Sequence, residues 1–187
     1  MKPLNSRQVG SLEGGASFSL ANRLQRALWN AVWLMLAAWT PPPLHGWRRA
    51  LLRLFGARIG RGVRIYGSTR IWHPANLDIG AFATIGPRVN CYNQGTITIG
   101  HHAVISQGAH LCASSHDPAD PHFQLVIRPI SVGARAWIAA EAFVGPGVQV
   151  GEGALLGARG VAFRDLDPWM IYRGNPAASV RARIMLD

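Results

Sequence analysis

Residues 99–116 read IGHHAVISQGAHLCASSH, which divides into three consecutive units of six residues. Each unit begins with isoleucine or leucine, and its fifth residue is alanine or serine. The third unit ends at His116, and Asp117 and Pro118 follow it. A period of six that ends on a histidine predicts one turn of a repeating coil that carries a chemically reactive side chain.

The same period continues on both sides of this stretch. Fifteen units begin at Ile59 and end at Asp167, with one long interruption at residues 117–131. Thirteen of the fifteen first positions are Ile, Leu or Val, although only 43 of the 187 residues in the chain are. The second position is glycine in eight units, and the fifth is small or β-branched in fourteen. The pattern therefore defines a whole domain, residues 58–168.

A repeat with one large aliphatic residue and one small residue in six has a simple physical interpretation. Each unit is a short strand plus a turn, and three units close a triangular coil whose interior holds the aliphatic side chains. Glycine after the aliphatic residue suits a tight turn with unusual backbone angles. Stacked coils pair their strands in parallel and bury a continuous apolar column. The sequence therefore predicts an all-β solenoid, a parallel β-helix of about five triangular coils.

Composition and charge limit the classes of function. Hydrophobic residues make up 49% of the chain, so a folded domain is expected rather than disorder. The formal net charge is +10, with eighteen arginines and one lysine, which predicts an anionic partner. Because the arginines form no long run and no nucleic-acid-binding motif accompanies them, a nucleic-acid partner is not expected. Cys91 and Cys112 fit neither a disulfide framework nor a metal motif, which favours a reducing compartment.

The segments that flank the repeats have a different character. Residues 1–17 have no period and are predicted to be a flexible tail, whereas residues 18–57 are predicted to be helical. The apolar stretch at residues 27–39 is shorter than the roughly 20 residues that a membrane-spanning helix needs, and it begins too late for a signal peptide. Residues 18–57 cap the open end of the solenoid or contact a membrane surface peripherally, and the sequence leaves both interpretations open. Residues 169–187 form a C-terminal extension.

Two short motifs accompany the repeats, SSHD at residues 114–117 and GNPA at residues 174–177. Together with the repeats they resemble the hexapeptide-repeat acyltransferases, and within them the colanic-acid-type and maltose/galactoside-type O-acetyltransferases. The resemblance covers about Ile59 to Ile184. It implies a left-handed coil. The periodicity alone does not show this handedness, and parallel β crossovers are usually right-handed. It also implies a homotrimer with clefts between its subunits.

His116 is the candidate catalytic residue because it ends the third coil where the repeat is interrupted. A neutral imidazole there could remove the proton from a sugar hydroxyl. From the residues alone a loop histidine is more often a plain surface residue, and it is the resemblance that implies the role of general base. The resemblance also implies substrate-binding roles for Asn93, Asp117 and Trp137. Asn93 as a turn residue and Trp137 as packing between the loop and the coil remain alternatives.

The resemblance implies acetyl-CoA as the acyl donor. Ala140 and Ala158 occupy the positions where the backbone would contact the pantetheine arm, and the Ala140 N–H is the candidate donor to the oxyanion. Arg164 and Arg181 match positions that supply cations to the nucleotide phosphates. Ala178 departs from the family pattern, which has a basic residue after GNPA, and this puts the phosphate contacts in doubt.

The expected function is direct transfer of an acetyl group from acetyl-CoA to a hydroxyl of a sugar or polysaccharide-biosynthesis intermediate, within a ternary complex. Two alternatives stay open: a non-catalytic β-helix scaffold, and a metal enzyme like the γ-carbonic anhydrases. Five histidines lie within residues 101–122, but their spacing differs from that ligand pattern, so no metal is expected. The protein is expected in the cytoplasm, with contact at the inner membrane face as an open question.

Overall fold

N-terminal helices and a stack of short strands make up residues 2–185, which are the residues that the computed structural model describes. The helices are α1 (Ser6–Val9), α2 (Leu20–Leu36) and α3 (His45–Leu54). The strands are β1 (Arg58–Ile59), β2 (Arg64–Ile65), β3 (Arg70–Ile71), β4 (Leu77–Ile79), β5 (Thr84–Ile85), β6 (Asn90–Tyr92), β7 (Ile97–Ile99), β8 (Val104–Ile105), β9 (His110–Cys112), β10 (Ser114–His116), β11 (Leu125–Ile127), β12 (Ile130–Val132), β13 (Trp137–Ile138), β14 (Phe143–Val144), β15 (Gln149–Val150), β16 (Leu155–Leu156), β17 (Val161–Ala162), β18 (Met170–Arg173) and β19 (Ala178–Ala182). None of the described helices has the length and apolar character needed to cross a bilayer.

The strands form three parallel sheets, which are the three faces of a triangular solenoid. Their orders are β1-β4-β7-β12-β15, β2-β5-β8-β13-β16-β18 and β3-β6-β9-β14-β17. Each complete coil contributes one strand to every sheet, and five coils are complete, as the period of six predicts. A partial sixth coil follows, made of β18 and a bridge between Val150 and Leu166. Strand β19 then pairs antiparallel with β18.

The predicted interior positions form the core of the solenoid. All fifteen first positions of the repeat units are buried, and Ile65, Ile105, Ile138 and Leu156 are completely inaccessible to solvent. Small fifth positions such as Ala103 are buried as well, where the packed interior leaves no room for a larger side chain. The six-residue pattern is therefore a packing pattern.

The glycines in the second position have a different role from the one that we expected. We expected them to supply unusual backbone angles, but none of the eight lies in the left-handed region. A Cβ atom on Gly80 would lie 2.5 Å from the backbone nitrogen of His101, and one on Gly100 would lie 2.4 Å from that of Ala134. Glycine is needed because successive coils approach too closely at this corner for a side chain. The left-handed angles fall two residues later, for example at His102 (φ 56°).

Residues 1–17 were expected to be a tail, yet their described part holds the loop that follows His116. The Ser6 N–H donates to Oε1 of Gln124 at 2.8 Å, and Nε2 of Gln124 donates to the Leu4 carbonyl at 3.1 Å. Ser6 is buried, and α1 begins at this residue. The contact joins residues 118 positions apart, so no local pattern could predict it.

Helices α2 and α3 cover the open end of the first coil. Neighbouring coils exchange backbone hydrogen bonds in both directions, for example from the Arg64 N–H to the Ala83 carbonyl and from the Phe82 N–H to the Arg61 carbonyl, but the first coil has no preceding coil. On its open side the Ile65 N–H donates to Nδ1 of His45, and the carbonyls need donors. Side chains of the two helices donate to these carbonyls instead: Trp29 to Ile71, Trp33 to Gly67, Arg49 to Val63, Arg48 to Ile65 and Arg53 to Ile59. The two helices therefore cap the solenoid.

Arg48 is the buried centre of this cap. Its side chain is inaccessible to solvent, and burial lowers the pKa of its guanidinium. Within residues 2–185 no carboxylate forms an ion pair with it. It donates instead to five oxygens: Ile65 O at 2.5 Å, Thr40 Oγ1 at 2.6 Å, Pro42 O at 2.6 Å, Pro41 O at 3.1 Å and Thr40 O at 3.2 Å. These oxygens replace a counter-ion and join α3 to the proline turn and to the first coil.

We predict that Arg48→Met lowers the free energy of unfolding by about 3 kcal/mol, because several buried acceptors lose their donor at once. The matched control Arg64→Met removes an exposed arginine of the first coil and should change that free energy by less than about 0.5 kcal/mol. Urea unfolding followed by circular dichroism measures both variants. Equal unfolding midpoints for the two would contradict the capping role of Arg48.

Candidate active site

A hairpin leaves the solenoid after the third coil and positions His116. Strand β10 pairs antiparallel with β11, so that His116 lies opposite Leu125 at the end of the ladder. The Asp117 N–H donates to the Gln124 carbonyl at 2.9 Å and closes the loop between the strands. The excursion expected at residues 117–131 therefore begins earlier, at Ser114, because β10 already turns away from the stack to pair with β11.

The imidazole of His116 is held by a residue on the other side of this loop. Its Nδ1 lies 2.7 Å from the Phe123 carbonyl oxygen, and the two rings stack with centroids 4.3 Å apart. Since a carbonyl only accepts, Nδ1 must carry the proton of this hydrogen bond. In the neutral ring the lone pair is then on Nε2, which is the nitrogen that a general base uses. Phe123 was not identified from the sequence.

His116 borders a cavity of about 330 Å³ at the base of the hairpin. The cavity is lined by Ser115, His116, Asp117, Pro118, Val126, Arg128, Pro146 and Phe163. Arg128 supplies a positive charge and Phe163 an aromatic ring that is 64% exposed. Neither residue was identified from the sequence. Arg128 lies inside the interruption at residues 117–131, where no repeat pattern distinguishes one position from another. Phe163 did leave a signal, since it occupies the second position of its unit, where eight of fifteen units have glycine.

Two of the predicted substrate-binding residues have their polar atoms engaged within the chain. Asn93 is fully buried, its Oδ1 accepts from the backbone N–H groups of Trp72 and His73, and its Nδ2 donates to the His73 carbonyl at 2.7 Å. This geometry matches the alternative in which Asn93 is a turn residue, and we therefore do not assign Asn93 to the candidate site. Asp117 lines the cavity, but its Oδ1 accepts from the Ala119 N–H at 2.9 Å and shapes the loop.

Trp137 lies on a different face of the solenoid. It points outward from β13, and its indole N–H donates to Oγ of Ser106 at 2.8 Å. It lines a second cavity of about 590 Å³ that also includes Arg135 and Arg183. Within one chain, Trp137 and His116 therefore line separate cavities. At this position Trp137 does not pack the loop of residues 117–131 against the coil, unlike in the alternative considered above.

The predicted donor-binding residues lie at corners of the last coils. Ala140 is partly buried and Ala158 is exposed. Arg164 lines a third cavity, of about 480 Å³, together with Ala178 of the C-terminal extension. Phe163 lines both this cavity and the cavity of His116. Arg181 is exposed on β19 and is not part of that lining.

The two cysteines near the third coil are held in an unreactive form. Burial raises the pKa of the Cys91 thiol to about 12 and also raises that of Cys112, so both thiols stay protonated. Burial lowers the pKa of His110, which faces outward from β9. Among residues 2–185 no three or more histidine, cysteine, aspartate or glutamate side chains are grouped so that they could hold a metal ion. The cavity described above is thus lined by both the imidazole-bearing His116 and the guanidinium-bearing Arg128.

Comparison with known proteins identifies close relatives in sequence. No family model matches the chain. The WcaF protein of Escherichia coli (strain K12), which carries the provisional name colanic acid biosynthesis acetyltransferase, is 45% identical over 167 residues. Those residues are 89% of this chain and 92% of WcaF.

Solved structures share the fold. Hexapeptide-repeat acetyltransferase VCA0836 of Vibrio cholerae O1 biovar eltor, solved with acetyl coenzyme A, has a TM-score of 0.80 at 20% identity and covers 89% of this chain and 91% of its own. Galactoside acetyltransferase solved with coenzyme A has a TM-score of 0.77 at 19% identity and covers 90% of this chain and 85% of its own. These matches confirm the resemblance and the left-handed β-helix that it implies. The chain belongs to the hexapeptide-repeat acetyltransferase family.

Proposed function

We propose that this protein transfers an acetyl group from acetyl-CoA to a hydroxyl of a sugar or of a polysaccharide-biosynthesis intermediate. One observation carries the proposal: the imidazole of His116 commits Nδ1 to a backbone carbonyl and leaves Nε2 for a ligand at the edge of a cavity. The name of WcaF refers to colanic acid biosynthesis, which supports a sugar-based acceptor. Two proteins of the same fold were solved with acetyl-CoA or CoA, which supports the donor.

In the proposed reaction, Nε2 of His116 takes the proton of the acceptor hydroxyl while the hydroxyl oxygen bonds to the acetyl carbonyl carbon. The Ala140 N–H stabilises the oxyanion of the tetrahedral intermediate. Collapse of the intermediate breaks the C–S bond, and the imidazolium returns its proton to the CoA sulfur. The Phe123 carbonyl holds the ring in the tautomer that leaves Nε2 free. Transfer is direct, since the raised pKa values of both cysteines leave no thiolate to accept the acetyl group.

The donor is proposed to run along the corners of the last coils. Backbone groups at Ala140 and Ala158 contact its pantetheine arm, because their small side chains allow close approach. Arg164 and Arg181 neutralise the nucleotide phosphates. The cavity of Arg164 and the cavity of His116 share the lining residue Phe163, which supports a continuous path from the phosphates to the base. Because residue 178 is alanine and not a basic residue, Arg164 supplies the positive charge among the residues that line this cavity.

The active assembly is proposed to be a homotrimer whose sites lie between subunits. Trp137 and His116 line separate cavities of one chain, and a neighbouring protomer would bring a second Trp137 to the hairpin. The acceptor would then contact Asp117 of one protomer and Trp137 of the next. We also propose a cytoplasmic location, with residues 18–57 in peripheral contact with the inner membrane face.

We predict that His116→Ala lowers kcat for acetyl-CoA-dependent acetylation of a glycan panel by a factor of about 100 to 10,000, because the general base is lost. The KM for acetyl-CoA should change little, since the imidazole acts on the acceptor. His101→Ala is the matched control, because His101 is an exposed histidine on a corner of the same coil. A His116→Ala variant that acetylates as fast as the wild type would reject the base assignment and favour the scaffold alternative.

A second prediction concerns the shared site. His116→Ala and Trp137→Ala are each expected to lower activity, and a mixture of the two, unfolded and refolded together, should regain about a quarter of the wild-type rate. A quarter of the sites in randomly assorted trimers combine an intact His116 with an intact neighbouring Trp137. A refolded mixture of His116→Ala with the His116→Ala/Trp137→Ala double variant is the control and should stay inactive. No recovery in the first mixture would contradict a site formed by two chains.

A further inference from the structure

Helix α2 has two apolar faces on opposite sides, of which only one is covered. The inner face carries Trp29 and Trp33, which are buried against the first coil. The outer face, here called the leucine face, consists of Leu20, Leu24, Leu28, Ala31 and Met35. These residues follow a helical spacing of four, four, three and four, so they form one stripe opposite the tryptophans. Leu24, Leu28 and Met35 are 62%, 58% and 60% exposed, which is unusual for adjacent apolar side chains.

Two exposed tryptophans lie near the C-terminal end of α2. The indole N–H of Trp39 donates to the Met35 carbonyl at 2.7 Å, and that of Trp47 donates to the Leu36 carbonyl at 2.7 Å. Their rings remain 73% and 46% exposed. Because the polar atom of each indole is already bonded, the exposed part of each side chain is the apolar ring. Tryptophan is the residue type that favours the boundary between lipid and water.

The charge around the leucine face has one sign. From residue 14 to residue 77 the sequence contains nine arginines and no aspartate or glutamate, but the side chains of Arg48, Arg49 and Arg53 bond carbonyls of the first coil and Arg58 pairs with Asp78. Arg23 on α2 and Arg70 on the first coil are exposed, and Arg70 lines a cavity of about 520 Å³ together with Leu34 of α2. Arg23 and Arg26 line an adjoining cavity, which shares Trp72 with the first one. An apolar surface with a purely basic rim is complementary to anionic lipid, whose phosphates attract arginine and whose acyl chains accept leucine.

We infer that the leucine face of α2 binds the surface of an anionic lipid bilayer. Leu24, Leu28 and Met35 enter the acyl boundary, and Arg23 and Arg70 bind lipid phosphates at its rim. The inference gives the membrane contact proposed above a defined surface and a lipid chemistry, and it does not depend on acetyl transfer. The inner face of α2 stays on the solenoid, so binding requires no unfolding of the cap.

The test is sedimentation of the full-length protein with vesicles of phosphatidylcholine alone and of phosphatidylcholine mixed with phosphatidylglycerol. The wild type should bind the mixed vesicles at least about tenfold more tightly, and added salt should remove most of this preference. Leu24→Gln with Leu28→Gln should weaken binding to the mixed vesicles at least about tenfold, because two side chains no longer leave water. Glutamine keeps the helix propensity of leucine, so α2 is retained.

Control variants test whether a loss of vesicle binding is specific to the leucine face and its arginines. Val180→Gln with Ile184→Gln replaces two apolar residues that are equally exposed but lie beyond the last complete coil, and binding should stay at the wild-type level. Arg70→Gln should weaken binding to the mixed vesicles about fivefold and leave binding to phosphatidylcholine unchanged. Arg159→Gln makes the same change of charge on the fifth coil and should have little effect. Circular dichroism checks that every variant is folded.

Three outcomes overturn the inference. The folded wild type could bind neither kind of vesicle, the Leu24→Gln/Leu28→Gln variant could bind as tightly as the Val180→Gln/Ile184→Gln variant, or Arg70→Gln could bind as tightly as Arg159→Gln. Light scattering adds a fourth, because a changed oligomer mass in the leucine pair would assign the leucine face to a second copy of this chain. The assay contains no acetyl-CoA, so failure of vesicle binding leaves the proposed reaction intact. Failure of the His116 experiment likewise leaves the lipid surface intact.

Discussion

The backbone groups that lack a neighbouring coil at the N-terminal end of the stack constrain both the sequence and the shape of this protein. Neighbouring coils exchange hydrogen bonds in both directions, but the first coil has no preceding coil, so the carbonyls on its open side need donors from elsewhere, and the Ile65 N–H needs an acceptor, which is Nδ1 of His45. Tryptophan and arginine are donors that accept nothing in return. Arg53 places two nitrogens on the Ile59 carbonyl, and Arg48 reaches five oxygens. The cap is therefore rich in tryptophan and arginine for a geometric reason.

The fold could be predicted because its period is local. Every coil repeats the same choice between a large aliphatic residue that faces inward and a small residue at a turn, so one chain contains many copies of the signal. The role of Gly80 and Gly100 could not be predicted in the same way. Their constraint is the distance to the backbone of the next coil, about twenty or more residues away, and a sequence pattern shows the residue but not the neighbour that excludes its side chain.

The candidate site was predictable at His116 and Asp117, where an interruption of the repeat marks a departure of the chain. The residue that orients it, Phe123, acts through a backbone carbonyl, and a carbonyl has no sequence signature. Arg128 and Phe163 reach the cavity from the far side of the hairpin and from a later coil. Asn93 had a suggestive residue type, but its amide bonds to the backbone of the preceding coil instead. Contacts between coils decide what a site contains, and sequence spacing within one coil does not report them.

Capping and membrane contact compete as interpretations only if α2 has a single apolar face. The inner face closes the solenoid through Trp29 and Trp33, while Leu24 and Leu28 lie about half a turn away. One helix can therefore complete the fold and still offer a surface to lipid. If that surface rests on a bilayer, α2 separates the first coil from the membrane by about 10 Å, and His116, two coils further, stands roughly 20 Å above the membrane. Such a height suits an acceptor glycan that is tethered to lipid by its reducing end, since the sugar and not the tether would reach the base.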